Sequence, residues 1–238
     1  MSSPNFIPSP TSEVSVSSLY QEPILRSRSW HYILQSLSKR ILDFLGAGLG
    51  VLLLSPLLLA IALLVRLDSK GPIFFRQERV GRKGKKFVIW KFRTMEVNAE
   101  ERLKELEQHN ESGGGVLFKI REDPRVTRVG KFLRRTSLDE LPQLFNVLQG
   151  SMSLVGPRPL QLRDYYLAIK SYNEDNMTQR ATMLPGVTGL WQVSGRSEVT
   201  FNDMLQMDLF YQENWSFWLD LRILWRTVVV VLLRKGAY

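Results

Sequence analysis

The sequence predicts an α+β fold: a mostly helical, membrane-associated domain with a small β-hairpin, preceded by an N-terminal membrane helix. Three observations predict it. Residues 44–65 form an apolar run without a charge, short β-branched and aromatic segments flank a glycine-rich basic turn at 81–84, and the apolar residues between Leu138 and Leu148 recur at helical spacing. With 238 residues, 44% apolar and 23% charged, the chain has the composition of one folded domain with an appendage. It contains no cysteine, which excludes disulfide frameworks, thiolate metal sites and cysteine nucleophiles and fits a reducing compartment. Only His31 and His109 are present, in poorly patterned and polar stretches respectively, and both read as solvated. Acid–base or nucleophilic chemistry therefore falls to carboxylates, hydroxyls, Lys or Tyr.

Residues 1–37 are rich in Ser and Pro with little apolar periodicity, and read as a disordered tail. Residues 38–67 form the membrane element. Their 22-residue charge-free core, FLGAGLGVLLLSPLLLAIALLV, is long enough to cross a bilayer. An A-x-A at residues 60–62 hints at a signal peptide, but the run starts too late and continues through that site. Ser55-Pro56 at the centre invites a bend, because proline removes a helix hydrogen bond. Basic residues on both flanks, Lys39-Arg40 before and Arg66 and Lys70 after, favour keeping both ends in the cytoplasm. Composition leaves open both a re-entrant helix and a spanning helix with a tolerated proline.

Residues 68–238 then read as a cytosolic domain. Between Arg66 and Arg93 ten basic residues face two acids, so nearly all of the net charge of +9 lies there. Such a block suits nucleic acid, anionic lipid or phosphorylated substrates alike. The segments 73–75 and 87–92 pair as a hairpin across the turn at 81–84. Residues 96–109 are charged and helix-forming, and Gly113 to Gly115 punctuate a loop.

Asp139 and Glu140 are the most informative pair. The spacing starts a helix near residues 137–139, and Ser137 with Glu140 makes a capping box, so both acids have a structural explanation. Arg134 and Arg135 just upstream change its weight. Carboxylates beside fixed cations and a helix N-terminus stay ionised, and the same cations draw a diphosphate within reach. Adjacent acids point about 100° apart on a helix, so one can attack phosphorus while the other holds a metal ion. Downstream, Arg158 stands between Pro157 and Pro159 on a stiff mount. Residues 185–196 (PGVTGLWQVSGR) offer glycine amides and Arg196 to an anion, or a glycine-rich loop packed under a core tryptophan. Residues 201–233 are dense in aromatics, and fit both a helix in the membrane plane and helices packed on the protein's own core.

Three blocks, KFRTM (91–95), FLRRTSLDELPQLFNVLQGSMSLVGPRP (132–159) and PGVTGLWQVSGRS (185–197), resemble the bacterial sugar transferase family, the monotopic phosphoglycosyl transferases. The likeness covers residues 38–238 and the short form of the family, its catalytic unit. It implies a membrane helix that re-enters at Ser55-Pro56, on the cytoplasmic face of the bacterial inner membrane. It implies transfer of a sugar-1-phosphate from a UDP-sugar to polyprenyl phosphate, with UMP released. Asp139 matches the family's nucleophile and Glu140 its Mg²⁺-associated partner, the pair together being the metal site. Arg134, Arg158 and Arg196 match positions that engage phosphate or shape the site, with Lys91 and Arg93 as further phosphate ligands. The implied partners are the two substrates and the bilayer, not nucleic acid; homo-oligomers and downstream glycosyltransferases stay open.

Overall fold

The computed structural model describes residues 30–99, 101–102, 116, 120, 122–172, 174–195 and 199–233. Helix α1 (Trp30–Asp68) dominates them, with 39 residues, about 58 Å at the usual rise. Residues 30–37, assigned above to the tail, belong to this helix, and 1–29 lie outside the described residues. Nor does the expected helix-break-helix form, since Pro56 lies inside one uninterrupted helix. A proline leaves the carbonyl four residues back without its N–H donor, here that of Leu52. The Ser55 hydroxyl donates to that same carbonyl at 2.8 Å, so the acceptor is satisfied and the helix continues.

One face of α1 packs on the rest of the protein along its length. Asp43, Ala47, Ile61 and Val65 are exposed by 2% or less, and Gly46 and Gly50 leave room for the side chains of Leu154 and Leu144. On the opposite face Leu45, Leu52, Leu59 and Leu67 are 69–74% exposed. Ala47 joins a cluster with Ile89, Val147 and Met152, and Ile61 and Val65 join another with Phe92 and Leu133. The helix is thus the shared wall of two core clusters. Near its start Lys39 donates to Asp220 at 2.6 Å and to the Val155 carbonyl at 3.0 Å, while Asp43 accepts from Ser153 Oγ and the Leu154 amide.

The hairpin forms as expected, β1 (Phe74–Val80) pairing antiparallel with β2 (Lys86–Phe92) from Phe74↔Phe92 to Val80↔Lys86. Its turn uses left-handed backbone at Lys83 and Gly84. Of the expected helix at 96–109, the described residues show turns at 97–99 and 101–102, and the rest lies outside the described residues, as does the triple glycine. Helix α2 (Arg128–Thr136) is capped by Thr127, whose hydroxyl accepts from the Gly130 amide, and its Val129 amide donates to Asp68 at the end of α1. Helix α3 (Gln143–Leu148) follows, closed by Gly150 at positive φ.

Strand β3 (Ser153–Val155) pairs in parallel with β4 (Gly186–Thr188). Between them lie α4 (Leu162–Ser171) and α5 (Glu174–Arg180), and after them α6 (Leu190–Ser194) and α7 (Phe201–Glu213). Leu160, Tyr165, Met177, Met204 and Leu205 make the core of this half. The last helix, α8 (Phe217–Leu233), buries Asp220 and Ile223 but exposes Trp218, Trp225 and Leu232 by 70–76%. The two readings of residues 201–233 are therefore divided between two helices: α7 packs on the core and α8 presents an apolar aromatic face outward.

The pairing of β3 with β4 continues as a backbone clasp. The Gly156 amide donates to the Thr188 carbonyl and the Gly186 amide to the Pro157 carbonyl, both at 2.9 Å. A Cβ on Gly186 would collide with the Gly156 amide nitrogen, and backbone cannot move aside as a side chain can. Gly186→Ala should lower stability by about 1–3 kcal/mol, measured by thermal or denaturant unfolding, whereas Gly48→Ala, which meets nothing within 4 Å, should be neutral or stabilising.

Candidate active site

Asp139 and Glu140 lie in a single 3₁₀ turn, Leu138–Glu140, between α2 and α3. The capping box read from the sequence is not made: Ser137 adopts a left-handed conformation at φ 57° and its side chain caps nothing. Instead Ser137 ends α2, its amide donating to the Arg134 carbonyl at 3.1 Å. The chain reverses there, so Asp139 turns inward and is 8% exposed while Glu140 opens onto a cavity.

Lys91 on β2 reaches across to Glu140 Oε1 at 2.6 Å, and Arg158 lies 3.8 Å from the same oxygen. Asn146 sets the distance between these elements. Its side chain accepts from the Trp90 amide at 3.0 Å and donates to the Val88 carbonyl at 2.7 Å, so α3 pairs with the free edge of β2. Arg134, at the end of α2, donates from Nε to Thr94 Oγ1 at 3.0 Å and lends its charge to Asp139. Arg158 is positioned from behind. Its carbonyl accepts from Arg180 at 2.6 Å, and Arg180 is itself paired with the buried Asp208 at 2.8 Å. Its guanidinium stands 5.5 Å from the centre of the Trp191 ring.

The cavity is small and open to solvent, lined by Arg79, Lys91, Glu140, Gln143, Arg158 and Gln192 among others. Three cations thus face one carboxylate. Burial works to raise the Glu140 carboxyl, but Lys91 and Arg158 outweigh it and hold Glu140 below the ordinary glutamate range. For Asp139 burial wins: its carboxyl is pushed up, with Glu140 adding to the rise and Lys91 and Arg134 restraining it. The two neighbours are driven apart, a pattern that marks divided roles in acid, base or nucleophilic chemistry.

The structure brings together several of the residues singled out in the sequence. Lys91, Glu140 and Arg158 line the cavity and Asp139 and Arg134 lie behind it. Arg93 does not belong to the site. Its guanidinium donates to the carbonyls of Lys70 and Ser69, capping the end of α1. Arg196 lies outside the described residues. The glycines of residues 185–195 do not present an anion nest either, since the Gly186 amide is spent on the β3–β4 clasp and Gly189 packs on the Gly156 carbonyl. Arg79 and Gln143 were missed. Arg79 was hidden among ten basic residues, although its place on the strand, facing the same way as the buried Ile89 and Lys91 after pairing, carries the signal.

Mg²⁺ binds through one or two carboxylates completed by water and substrate phosphates. Glu140 fits that mode, since its hydrogen bond and ion pairs all engage Oε1, and Asp139 is its neighbour in the same turn. Among the described residues no group of three or more His, Cys, Asp or Glu could hold a metal by itself. The pair therefore suits a metal shared with a phosphorylated substrate.

A family model described as bacterial sugar transferase matches residues 34–234. The chain belongs to the bacterial sugar transferase family. It is 45% identical over 202 residues to the galactosyl transferase CpsE of Streptococcus agalactiae, covering 84% of this chain and 43% of that protein. It is 44% identical over 212 residues to the undecaprenyl-phosphate galactose phosphotransferase of Salmonella typhimurium, covering 84% and 41%. The chain thus spans less than half the length of these two relatives. With the exopolysaccharide production protein ExoY of Sinorhizobium fredii it shares 42% identity over 205 residues, 85% of this chain and 88% of that one. In this family member Arg180 is the strut behind Arg158, and burial already raises Asp208 to about 6 against the pull of Arg180. Arg180→Gln should therefore cost about 3–5 kcal/mol in unfolding experiments at pH 8, and less at pH 5, where Asp208 can take up a proton.

Proposed function

We propose that this chain is a phosphoglycosyl transferase that moves a sugar-1-phosphate from a UDP-sugar to polyprenyl phosphate, releasing UMP and forming a polyprenyl diphosphate sugar. The observation that carries the reading is the Asp139-Glu140 turn, set where Arg79, Lys91 and Arg158 line one cavity with Glu140. A nucleoside diphosphate sugar brings the negative charge that such a cavity lacks. The names of the relatives, an undecaprenyl-phosphate galactose phosphotransferase among them, support the same substrate classes.

The residues divide the work in two steps. A carboxylate oxygen of Asp139 attacks the phosphorus bonded to the sugar, and the bond to UMP breaks, leaving an aspartyl phosphosugar. An oxygen of polyprenyl phosphate then attacks that phosphorus, and the aspartyl bond breaks to restore the carboxylate. Splitting one transfer between a soluble and a lipid substrate lets both use the same phosphorus site in turn. Lys91 and Arg158 hold the phosphate oxygens and compensate the charge that builds up in each transition state, while Arg134 lends its charge to Asp139. Mg²⁺, held by Glu140 with Asp139 beside it, would supply further neutralisation of the diphosphate.

The lipid acceptor calls for a site at the membrane surface. The exposed leucine face of α1 and the exposed Trp218, Trp225 and Leu232 of α8 are suited to enter the bilayer interface. Because α1 packs on the domain at both its beginning and its end, we place both on the cytoplasmic side of a bacterial inner membrane. Tags at Ser2 and Tyr238 should then both be cleaved by protease from the cytoplasmic side of oriented vesicles. A periplasmic Ser2 tag would sink this topology.

The chemical step is tested by mass spectrometry. Enzyme incubated with UDP-sugar and Mg²⁺, without acceptor, should carry a sugar-phosphate adduct on the Asp139 peptide, and Asp139→Asn should carry none and lose at least a thousandfold in turnover. Because burial raises the Asp139 carboxyl, adduct formation should climb with pH through a range above the ordinary aspartate value, as the nucleophile loses its proton. UMP release that always requires acceptor, with no adduct at any time, would replace the two-step route by direct transfer.

A further inference from the structure

Four arginines are buried among the described residues: Arg79, Arg93, Arg125 and Arg180. Three have an evident partner for their charge. Arg125 pairs with Asp123 at 2.6 Å and Arg180 with Asp208 at 2.8 Å, while Arg93 sits on the carbonyls that end α1, the negative pole of that helix. Arg79 has none of these. Its NH1 donates to the Pro159 carbonyl at 3.3 Å and its NH2 to Gln77 Oε1 at 2.7 Å, both neutral acceptors, and its Nε is buried without a partner. Arg158 adds to burial in disfavouring the charged form, and Asp164 and Glu140 oppose them without outweighing them.

A guanidinium stays charged in proteins, so burying one without a directly bonded counter-ion leaves much of the desolvation cost uncompensated. Such a position is retained where an anion arrives to complete it. Arg79 lines the same cavity as Lys91, Glu140 and Arg158. It is also rigidly mounted, with the Val80 amide bonded to the Leu160 carbonyl at 3.0 Å and Arg79 itself bridged to Gln161. Its fork therefore waits in a fixed orientation, at little entropic cost on binding.

We infer that Arg79 is a phosphate-binding residue of this site, its buried guanidinium taking a phosphate oxygen of the nucleoside diphosphate substrate beside Arg158. The inference rests on the phosphoglycosyl transfer reading given above. It assigns a ligand to a side chain that no family motif in the sequence marked, and it gives the β-hairpin a binding role beyond carrying Lys91. A different role is open to the same geometry: Arg79 could be a brace holding β1 to the segment at Pro159.

The two roles have opposite signatures in the empty and loaded protein. Thermal unfolding of the full chain in detergent or nanodiscs is measured with and without inorganic diphosphate, and separately with UMP. Wild type should be stabilised by both anions. Arg79→Gln, which removes the charge but keeps a donor for Pro159, should unfold at or above the wild-type temperature when empty and bind diphosphate at least tenfold more weakly. Arg79→Lys, which keeps the charge without the fork, should fall between them. A large loss of stability in empty Arg79→Gln with Arg79→Lys restored to wild type, or unchanged diphosphate affinity in either folded variant, would overturn the inference and leave the brace. Wild type that binds neither anion would instead sink the transferase reading on which it rests.

Discussion

Cations that face one another across a small cavity repel, and the architecture of this protein follows from having to hold them there. Arg79 and Lys91 come from the hairpin and Arg158 from the clasp between β3 and β4. Glu140 is the one carboxylate at their centre, bonded to Lys91 at 2.6 Å, and without substrate it is the only charge among the lining residues that keeps them together. Each cation is anchored by a device that does not depend on that carboxylate. Asn146 zips β2, which carries Lys91, to α3, the Pro159 carbonyl receives Arg79, and the Arg180–Asp208 pair grips the backbone of Arg158. Preorganisation of this kind places charge where it is needed before the reaction begins, so little reorganisation is left for the chemical step.

The fold class was legible because its signals are periodic: a long apolar run, a hairpin with its glycine turn, and helical spacing between Leu138 and Leu148. The fine structure around Asp139 was not. An S-x-x-E pattern favours a cap locally, yet Ser137 takes a left-handed conformation because α2 must stop and turn into α3 within a few residues. Tertiary reversal outweighed the local preference. Arg93 illustrates the converse limit. Two residues after Lys91 and just past the end of β2, it could not be told from a phosphate ligand until the end of α1 was seen to lie against it. The glycines of the 185–195 loop were read for their amides, whereas close backbone packing explains them.

Helix α1 gives a second lesson about sequence signals. A proline in an apolar helix is read as a break, but what decides is whether the carbonyl it strands finds another donor. Ser55 supplies that donor one residue earlier in the chain. Ser-Pro is thus a compensated pair, and the packed stripe from Asp43 to Val65 runs past it on one side of the helix.

The Lys39–Asp220 contact joins residues 181 positions apart in the chain. At usual rates of synthesis the partner of Lys39 emerges roughly ten to forty seconds after it. During that interval the inner stripe of α1 gains its partners one by one, Ile89 and Phe92 first, then Leu133, then Ser153 and Leu154 for Asp43. The longest of the described helices is made first, and its contacts are complete only when Asp220 arrives. Its early surroundings must therefore be something other than the finished domain, which makes the order of translation, and not only the final packing, a condition for reaching this fold.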